Sequence, residues 1–197
     1  MNWIVGVDEV GRGPLAGPVA VGVVVIPSSF RVIEAIQGLN DSKKLSEKKR
    51  QQIFDQVQSL LDTITYSVKF RSAYDIDSTG IVPSIQSAMN EALEDLSIIP
   101  EDAMVYLDGG LRAPVYFRQE TVIGGDAKIP AIMLASVLAK VSRDKLMIEL
   151  AREYPQYALD QNKGYGTKAH IEAIVAEGLS DIHRKSFCRN ICVGGDL

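Results

Sequence analysis

Cysteine, histidine and tryptophan are scarce in this 197-residue sequence, and long apolar runs are missing. Two cysteines, Cys188 and Cys192, cannot build a disulfide framework, so we expect reduced thiols. A zinc site would also need both histidines, His170 and His183, which makes one improbable. The longest apolar run, Val19–Ile26, is too short to cross a bilayer, and the first residues lack the regions of a signal peptide. We therefore expect a cytoplasmic protein that does not bind membranes.

The composition is that of a globular protein with a substantial core. It is 46% hydrophobic and 23% charged, with a net charge of −4, and its length suits a single domain over residues 1–197. Lysines and arginines nevertheless concentrate in four groups, at 43–50, 140–145, 163–168 and 184–189. If the groups share one face they form a track for nucleic acid, and otherwise each is a solvated surface.

The most unusual stretch of the chain is Asp-Glu-Val-Gly-Arg-Gly at 8–13, which follows an apolar segment rich in β-formers. Adjacent carboxylates repel each other and glycines weaken local order, so this stretch does not favour stability. Carboxylate oxygens are, however, the ligands that Mg²⁺ and Mn²⁺ prefer. Glycines allow a backbone to approach a polyanion closely, and an arginine can bind one.

The hydrophobic periodicity predicts a mixed sheet packed by helices. Strands are predicted over 3–8, 19–26, 63–71 and 104–107, with one edge strand or a hairpin within 115–123. Helices are predicted from an N-cap at Ser46 to about 62, over 81–96, over 130–152, and from an N-cap at Thr167 to about 177, where Gly178 ends the last one. We expect residues from about 155 to 197 to form a helical extension packed on the sheet domain.

Acidic residues recur at the ends of these elements, each beside glycine. Asp8 and Glu9 end the first strand, Asp108 ends a later strand, and Asp126 precedes the long helix. Ligands of open α/β sheets gather where strand ends and helix starts converge. Four such carboxylates could hold two divalent ions roughly 4 Å apart. Taken singly, Asp126 could instead be a partner of the helix dipole, and Asp108 a turn-forming residue.

Eight sequence blocks resemble, in order, those of the bacterial ribonuclease HII family. They are Val-Asp-Glu-Val-Gly-Arg-Gly-Pro-Leu-Ala-Gly-Pro-Val at 7–19, Leu-Asn-Asp-Ser-Lys-Lys-Leu-Ser at 39–46, Tyr-Leu-Asp-Gly-Gly at 106–110, Gly-Gly-Asp-Ala-Lys-Ile-Pro at 124–130, Ala-Ser-Val-Leu-Ala-Lys-Val-Ser-Arg-Asp at 135–144, Tyr-Pro-Gln-Tyr at 154–157, Lys-Gly-Tyr-Gly-Thr at 163–167 and His-Arg-Lys-Ser-Phe at 183–187. Two departures are Gly124, where the family often has lysine, and the apolar run at 131–134.

The resemblance implies a ribonuclease-H-like fold, a mixed five-stranded sheet flanked by helices with a helical C-terminal portion. It implies a metal-dependent endonuclease that hydrolyses the RNA strand of RNA–DNA hybrids. Such an enzyme also nicks duplex DNA 5′ to a single embedded ribonucleotide, leaving 5′-phosphate and 3′-hydroxyl ends. Two ions, Mg²⁺ or Mn²⁺, would be held by the catalytic carboxylates Asp8, Glu9, Asp108 and Asp126. We expect a monomer, since no surplus apolar helix face is evident.

Substrate contacts also carry over from the resemblance. The backbone of Gly11, Arg12 and Gly13 would recognise the 2′-hydroxyl that separates RNA from DNA. Tyr165 would stack on the sugar of the next nucleotide, although without the resemblance it is a loop aromatic packed on the core. Further phosphate or supporting contacts are expected from Lys43, Lys44, Ser136, Lys140, Arg143 and Arg184, any of which could simply be solvated.

Three alternatives remain open at this stage. The sister class, ribonuclease HIII, shares the fold but has an extra N-terminal domain and usually glutamate as its fourth acid. A non-catalytic nucleic-acid-binding protein could retain the scaffold, although crowded acids repel phosphate unless metal ions intervene. A nuclease of the same fold could act on branched DNA instead.

Overall fold

The computed structural model describes residues 1–191, so Cys192 lies outside the described residues. A five-stranded mixed sheet forms the centre of the fold. Its strands are β1 (Trp3–Val10), β2 (Val19–Pro27), β3 (Thr65–Arg71), β4 (Ala103–Asp108) and β5 (Arg118–Val122). They are arranged in the order β3-β2-β1-β4-β5. β2 is antiparallel to β1 and β3, whereas β4 is parallel to β1 and β5.

The parallel pairing of β1 with β4 decides where the acidic residues meet. Val7 lies opposite Leu107 in the register, so Asp8 and Asp108 follow at the same edge of the sheet. Asp108 in turn lies opposite Val122, the last residue of β5. The glycine-rich turn after β5 therefore starts beside the same edge.

Helices cover both faces of the sheet. Within residues 1–191 they are α1 (Val32–Ala35), α2 (Glu47–Gln58), α3 (Ala73–Thr79), α4 (Ile81–Asp95), α5 (Pro130–Glu153), α6 (Leu159–Asn162) and α7 (Lys168–Glu177). Helices α3 and α4 bury Ile76, Ile85 and Met89 against one face of the sheet. Helices α1, α2 and α5 form a second core on the other face.

Helix α5 lies directly on β1 and β2 because glycines leave room for it. A β-carbon at Gly22 would lie 2.5 Å from the carbonyl oxygen of Ala135, and one at Gly6 would overlap the backbone of Ala131. The close contact brings the middle of α5 next to the end of β1.

Most of the predicted elements are confirmed to within a few residues. The predicted N-caps are confirmed as well, because Ser46 accepts a hydrogen bond from the amide of Lys49, and Thr167 accepts one from the amide of His170. Gly178 ends α7 with a φ of 82°.

The prediction of one edge strand or a hairpin within 115–123 is resolved as one edge strand, β5, because residues 115–117 form a turn and Val115 is 98% exposed. Two other details differ from the prediction. The helix expected to reach residue 62 ends at Gln58. Helix α3 was missed because it has only seven residues, although Ser72 and Asp75 form a capping box at its start.

Residues 155–191 pack against α5 and the loop that follows β1. Ala16 from that loop, Met147 from α5, and Tyr157 and Ile174 share one core cluster. Ala16 also forms a β-bridge with His183. In the described part of the chain, no helix is long and apolar enough to span a membrane.

Candidate active site

A cleft of about 400 Å³ opens where β1 and β4 end. Its walls are formed by Asp8, Glu9, Val10, Gly11, Arg12, Gly13, Ser42, Lys43, Arg50, Asp108, Ser136, Lys140 and Tyr165. A second cavity of similar volume lies beside Ile4, Ile26 and Tyr106, but its lining is mostly apolar. The charged and titratable groups therefore mark the first cleft as the candidate active site.

Three of the four carboxylates, Asp8, Asp108 and Asp126, accept a hydrogen bond from a group that lies beside them in the fold. The amide of Glu9 donates to Asp8 Oδ1 at 2.8 Å, and the amide of Gly125 donates to Asp108 Oδ1 at 2.6 Å. Lys43 Nζ donates to Asp126 Oδ2 at 2.7 Å. Asp126 is joined to the cleft through Lys43 and does not line it directly. Among residues 1–191, no three acidic, histidine or cysteine side chains already converge as a ligand cluster.

The negative charges of Asp8 and Glu9, at the end of β1, are only partly balanced by hydrogen bonds and nearby cations. Burial raises the pKa of Asp8 to about 8, a hydrogen bond from Ser136 opposes the rise, and the charges of Glu9 and Asp108 add to it. Burial also raises the pKa of Glu9, whereas Arg12 opposes that rise. Carboxylates crowded in this way are stabilised in their charged form by a nearby cation.

Glu9 provides the most direct sign that a cation fits here. Its Oε1 accepts a hydrogen bond from Arg12 at 3.1 Å, but its Oε2 is buried and has no hydrogen-bond partner within the described residues. A buried unpaired carboxylate oxygen is energetically costly unless another group binds it. Hard divalent cations bind such oxygens, so the donor set of the cleft fits Mg²⁺ or Mn²⁺.

Ser42 is a residue of the site that the sequence did not reveal. Its hydroxyl lies 2.8 Å from that of Ser136, and both are buried. Ser136 also lowers the pKa of Asp8, so the pair of serines lies against the buried acid. Arg50 holds this segment by donating to the carbonyl of Ser42 at 3.0 Å. In the sequence, Ser42 belongs to the family-like block at 39–46 and directly precedes the basic group at 43–50, but neither feature indicated a role in the site.

The two glycines of the Gly-Arg-Gly segment lie in different surroundings. Gly11 has a φ of 88°, and a β-carbon there would overlap the guanidinium group of Arg143 beneath it. Around Gly13, apart from the residue itself and its two chain neighbours, no atom of residues 1–191 lies within 4 Å of the place where a β-carbon would be. The interior therefore requires glycine at 11, whereas the open space at 13 lies on the cleft wall.

Arg143 and Arg184 lie beneath the loop after β1 with none of their surface exposed. Arg143 donates to the carbonyls of Pro18, Ala16 and Lys163. Arg184 donates to the carbonyls of the loop as well. Of the phosphate or supporting contacts expected from these two arginines, their burial and their bonds to backbone carbonyls favour the supporting role.

Tyr165 is 43% exposed and forms part of the cleft wall. Its amide donates to the carbonyl of Asn162 at 2.9 Å. The preceding residue, Gly164, accepts hydrogen bonds from the amides of Leu15 and Ala16 at 2.8 and 3.2 Å. Tyr165 and the Gly-Arg-Gly segment are therefore joined through the backbone, although they are far apart in the sequence.

The lysines near the cleft differ in their exposure and in the ion pairs that they form. Lys43 has a side chain that is 78% exposed, and its bond to Asp126 raises its pKa. Lys140 lines the cleft but is paired with Asp144 at 2.7 Å. Lys44 approaches Asp41 at 3.9 Å and lies outside the cleft wall. Gly124 adopts a φ of 65°, a conformation that glycine takes more easily than the lysine common in the family.

Solved structures define the class of protein. The aligned chain of the PCNA:RNase HII complex from Archaeoglobus fulgidus gives a TM-score of 0.78 at 20% identity and covers 98% of both chains. Ribonuclease H2 from Pyrococcus horikoshii OT3 gives a TM-score of 0.74 at 25% identity and covers 96% of both chains. The fold with its acidic cleft is thus that of a ribonuclease-H-like enzyme.

Sequence comparison then gives the family. The sequence model described as Ribonuclease HII matches residues 5–190. The Ribonuclease HII of Bacillus cereus (strain B4264) is 44% identical over 187 residues, which cover 95% of this chain and 69% of that protein. The chain belongs to the ribonuclease HII family, as its motifs indicated. It is accordingly a metal-dependent endonuclease with ribonuclease H activity on RNA–DNA hybrids.

Proposed function

We propose that this enzyme, in addition to cutting the RNA strand of hybrids, nicks duplex DNA on the 5′ side of a single embedded ribonucleotide. The products would carry 5′-phosphate and 3′-hydroxyl ends. The observation that carries the proposal is that one cleft combines the acids at the end of β1 and β4 with the Gly-Arg-Gly segment and Tyr165.

The metal site is proposed to consist of Asp8, Glu9, Asp108 and Asp126, which would hold two divalent ions, Mg²⁺ or Mn²⁺. Two observations support this metal site: Oε2 of Glu9 is buried with no hydrogen-bond partner among residues 1–191, and Asp8 is buried. When bound, the ions would supply acidification of the attacking water and neutralisation of charge at the phosphate. Asp126 would exchange its bond with Lys43 for this role, and the exposed lysine would then be available to a phosphate.

The side chains of the protein would orient the acids and bind the nucleic acid. Ser136, paired with Ser42, would orient Asp8, while Lys140 and Lys43 would provide positive charge at the cleft. A histidine base is not part of the proposal, because His170 and His183 are buried away from the cleft wall.

Selectivity for a ribonucleotide is proposed to come from two elements of the cleft wall, the Gly-Arg-Gly segment and Tyr165. Backbone groups of Gly11–Gly13 would hydrogen-bond the 2′-hydroxyl of the ribonucleotide. Tyr165 would stack on the sugar of the following nucleotide and disfavour a second 2′-hydroxyl there. The exposed position of Tyr165 and the free space above Gly13 support these roles.

The working unit is proposed to be a single domain that acts as a monomer on RNA–DNA hybrids and on ribonucleotide-containing duplex DNA. Residues 155–191 would belong to this domain for two reasons. Tyr165 lines the cleft, and Arg184 lies beneath the loop after β1 and binds its carbonyls.

Cleavage of a duplex with one ribonucleotide in one strand tests the proposal. We expect a single nick 5′ to the ribonucleotide with Mg²⁺ or Mn²⁺, and no product with excess chelator. An all-DNA duplex of the same sequence should remain intact, and an RNA–DNA hybrid should be cut at several positions. Cutting of the hybrid without nicking of the single-ribonucleotide duplex would contradict the proposal and restrict the enzyme to longer RNA tracts.

A further inference from the structure

Arg184 is a buried cation whose hydrogen bonds all go to one loop. Its Nη2 donates to the carbonyl of Gly11 at 2.7 Å, its Nη1 to the carbonyl of Arg12 at 3.0 Å, and its Nε to the carbonyl of Gly17 at 3.0 Å. The side chain is completely buried, and the Phe187 ring lies 5.2 Å from its guanidinium carbon. A guanidinium group has the planar fork needed to bind several acceptors at once.

These bonds fix the direction of two peptide groups. In a trans peptide the carbonyl of one residue and the N–H of the next point in opposite directions. Because the carbonyls of Gly11 and Arg12 point inward to Arg184, the amide N–H groups of Arg12 and Gly13 must point outward. Outward from this segment is the cleft, whose wall includes both residues.

Within residues 1–191, neither the amide of Arg12 nor the amide of Gly13 makes a hydrogen bond to another part of the fold. Gly13 also leaves its surroundings open on the cleft side. Two adjacent unpaired donors that face the same opening form a recess suited to an oxygen acceptor.

We infer that Arg184 is a positioning residue for ribonucleotide recognition, which presents the amides of Arg12 and Gly13 to the substrate as hydrogen-bond donors. The inference rests on the proposed function, since it concerns how the same cleft distinguishes a ribonucleotide. Arg184 itself does not contact the nucleic acid. Its effect is to prevent the two peptide groups from rotating, so that both donors are already oriented when the substrate arrives.

Arg143 supports the same arrangement from the side. Its guanidinium group lies directly under Gly11 and donates to the carbonyl of Pro18 at 2.8 Å. It also donates to the carbonyl of Lys163 at 3.0 Å, two residues before Tyr165. The two buried arginines therefore hold the donor segment and the Tyr165 segment in a fixed relation.

The experiment compares binding of two duplexes, one with a single ribonucleotide and one of DNA alone. It is carried out in an Asp8→Asn background, so that no cutting occurs, with Mg²⁺ present. Arg184→Lys keeps the charge but replaces a three-armed fork by one ammonium group. We expect it to reduce the preference for the ribonucleotide duplex by about fivefold, which corresponds to one well-oriented hydrogen bond. Affinity for the DNA duplex should hardly change.

Arg71→Lys is the matched control. Arg71 also donates to a backbone carbonyl, that of Phe70, but it lies on β3 away from the cleft and pairs with Glu91. This variant should lose some stability and keep the full preference. An unchanged preference in folded Arg184→Lys would overturn the inference. Equal binding of both duplexes by the Asp8→Asn chain that retains Arg184 would instead contradict the proposed function.

A second measurement avoids the risk that Arg184→Lys does not fold. The backbone amide resonances of Arg12 and Gly13 are followed by nuclear magnetic resonance in the Asp8→Asn chain. Both should shift downfield when the ribonucleotide duplex binds, and less so with the DNA duplex. Identical shifts with the two duplexes would refute the role of these amides, whatever the behaviour of the arginine variant.

Discussion

At the scale of single residues, the cleft contains acids whose negative charges are only partly compensated. It also contains two glycines, Gly11 and Gly13, that are needed for different reasons. Asp8 is 5% exposed and lies near two other carboxylates, so the fold holds it at an energetic disadvantage when it is charged. Such groups are typical of sites that bind cations, because function and not stability determines their presence.

Asp8→Asn should therefore abolish cleavage and yet stabilise the metal-free protein. The substitution removes a buried charge and its repulsion with Glu9 and Asp108. We expect the free energy of unfolding at pH 8 in chelator to rise by on the order of 1–2 kcal/mol. Denaturant titration and turnover in Mg²⁺ would check the two halves separately. Turnover equal to that of the wild type would contradict the assigned role.

Asp77→Asn is the comparison for this prediction. Although burial opposes it, hydrogen bonds from Ser186 and Lys185 lower the pKa of Asp77, so its charged form is favoured by the fold. Neutralising it should destabilise the protein and leave metal-dependent cleavage intact. If both substitutions changed stability in the same direction, the special burial of Asp8 would not explain its effect.

Alanine at Gly13 and at Gly11 should separate binding from folding. Gly13→Ala has open space for the new methyl group, so stability should change little while cleavage falls on the order of 10- to 100-fold. Gly11→Ala meets Arg143 and a φ of 88°, so unfolding should become easier by about 1–3 kcal/mol. Thermal unfolding and single-turnover cleavage would measure both. A Gly13→Ala enzyme with full activity would exclude close approach of substrate at this position.

At the scale of structural elements, a pair of buried histidines connects α7 to the segment that follows it. Nε2 of His170 lies 3.3 Å from Nε2 of His183, and Nδ1 of His170 lies 2.9 Å from the carbonyl of Tyr165. The amide of Ser180 donates to Nδ1 of His183 at 3.0 Å. The carbonyl and the amide fix both tautomers, so that His183 donates to His170 and both rings are neutral.

This pair should make stability depend on pH below neutrality. Burial and then the nearby His170 lower the pKa of His183 to about 4, whereas the ring protonates near 6.5 in the unfolded chain. Between about pH 6.5 and pH 4, His183 is therefore protonated in the unfolded state but not in the folded state. The free energy of unfolding has its full value above about pH 6.5 and falls as the pH is lowered towards 4. The loss should reach up to about 3 kcal/mol.

His183→Asn would check this dependence by denaturant titration between pH 4 and 7. The variant should be less stable at pH 7 but should lose less stability on acidification. Tyr157→Phe is its control, because it removes the bond to the carbonyl of Gly178 and keeps both histidines. That variant should be destabilised equally at every pH. The prediction would fail if His183→Asn and the wild type had the same slope.

At the scale of the whole molecule, much of the fold could be predicted because local rules agree with the tertiary structure. Ser46 and Thr167 begin helices where N-cap preferences place them, and the long helix starts at Pro130 as expected. The sequence left open whether 115–123 forms one edge strand or a hairpin. β-forming residues occur at 115–117 as well as at 121–123, but the ladder with β4 begins only at Arg118.

The sequence by itself determined the strands, the helices and the acids that end them, together with the family. The strands and helices follow from short-range hydrophobic periodicity. The acids and the family follow from motifs that are continuous in the sequence. Only the tertiary structure decided what the basic residues do. Arg184 reaches Gly11 across 173 positions of chain, and Lys43 reaches Asp126 across 83. An arginine has the same local pattern whether it faces solvent or lies buried under a loop, because its burial depends on elements that are distant in sequence.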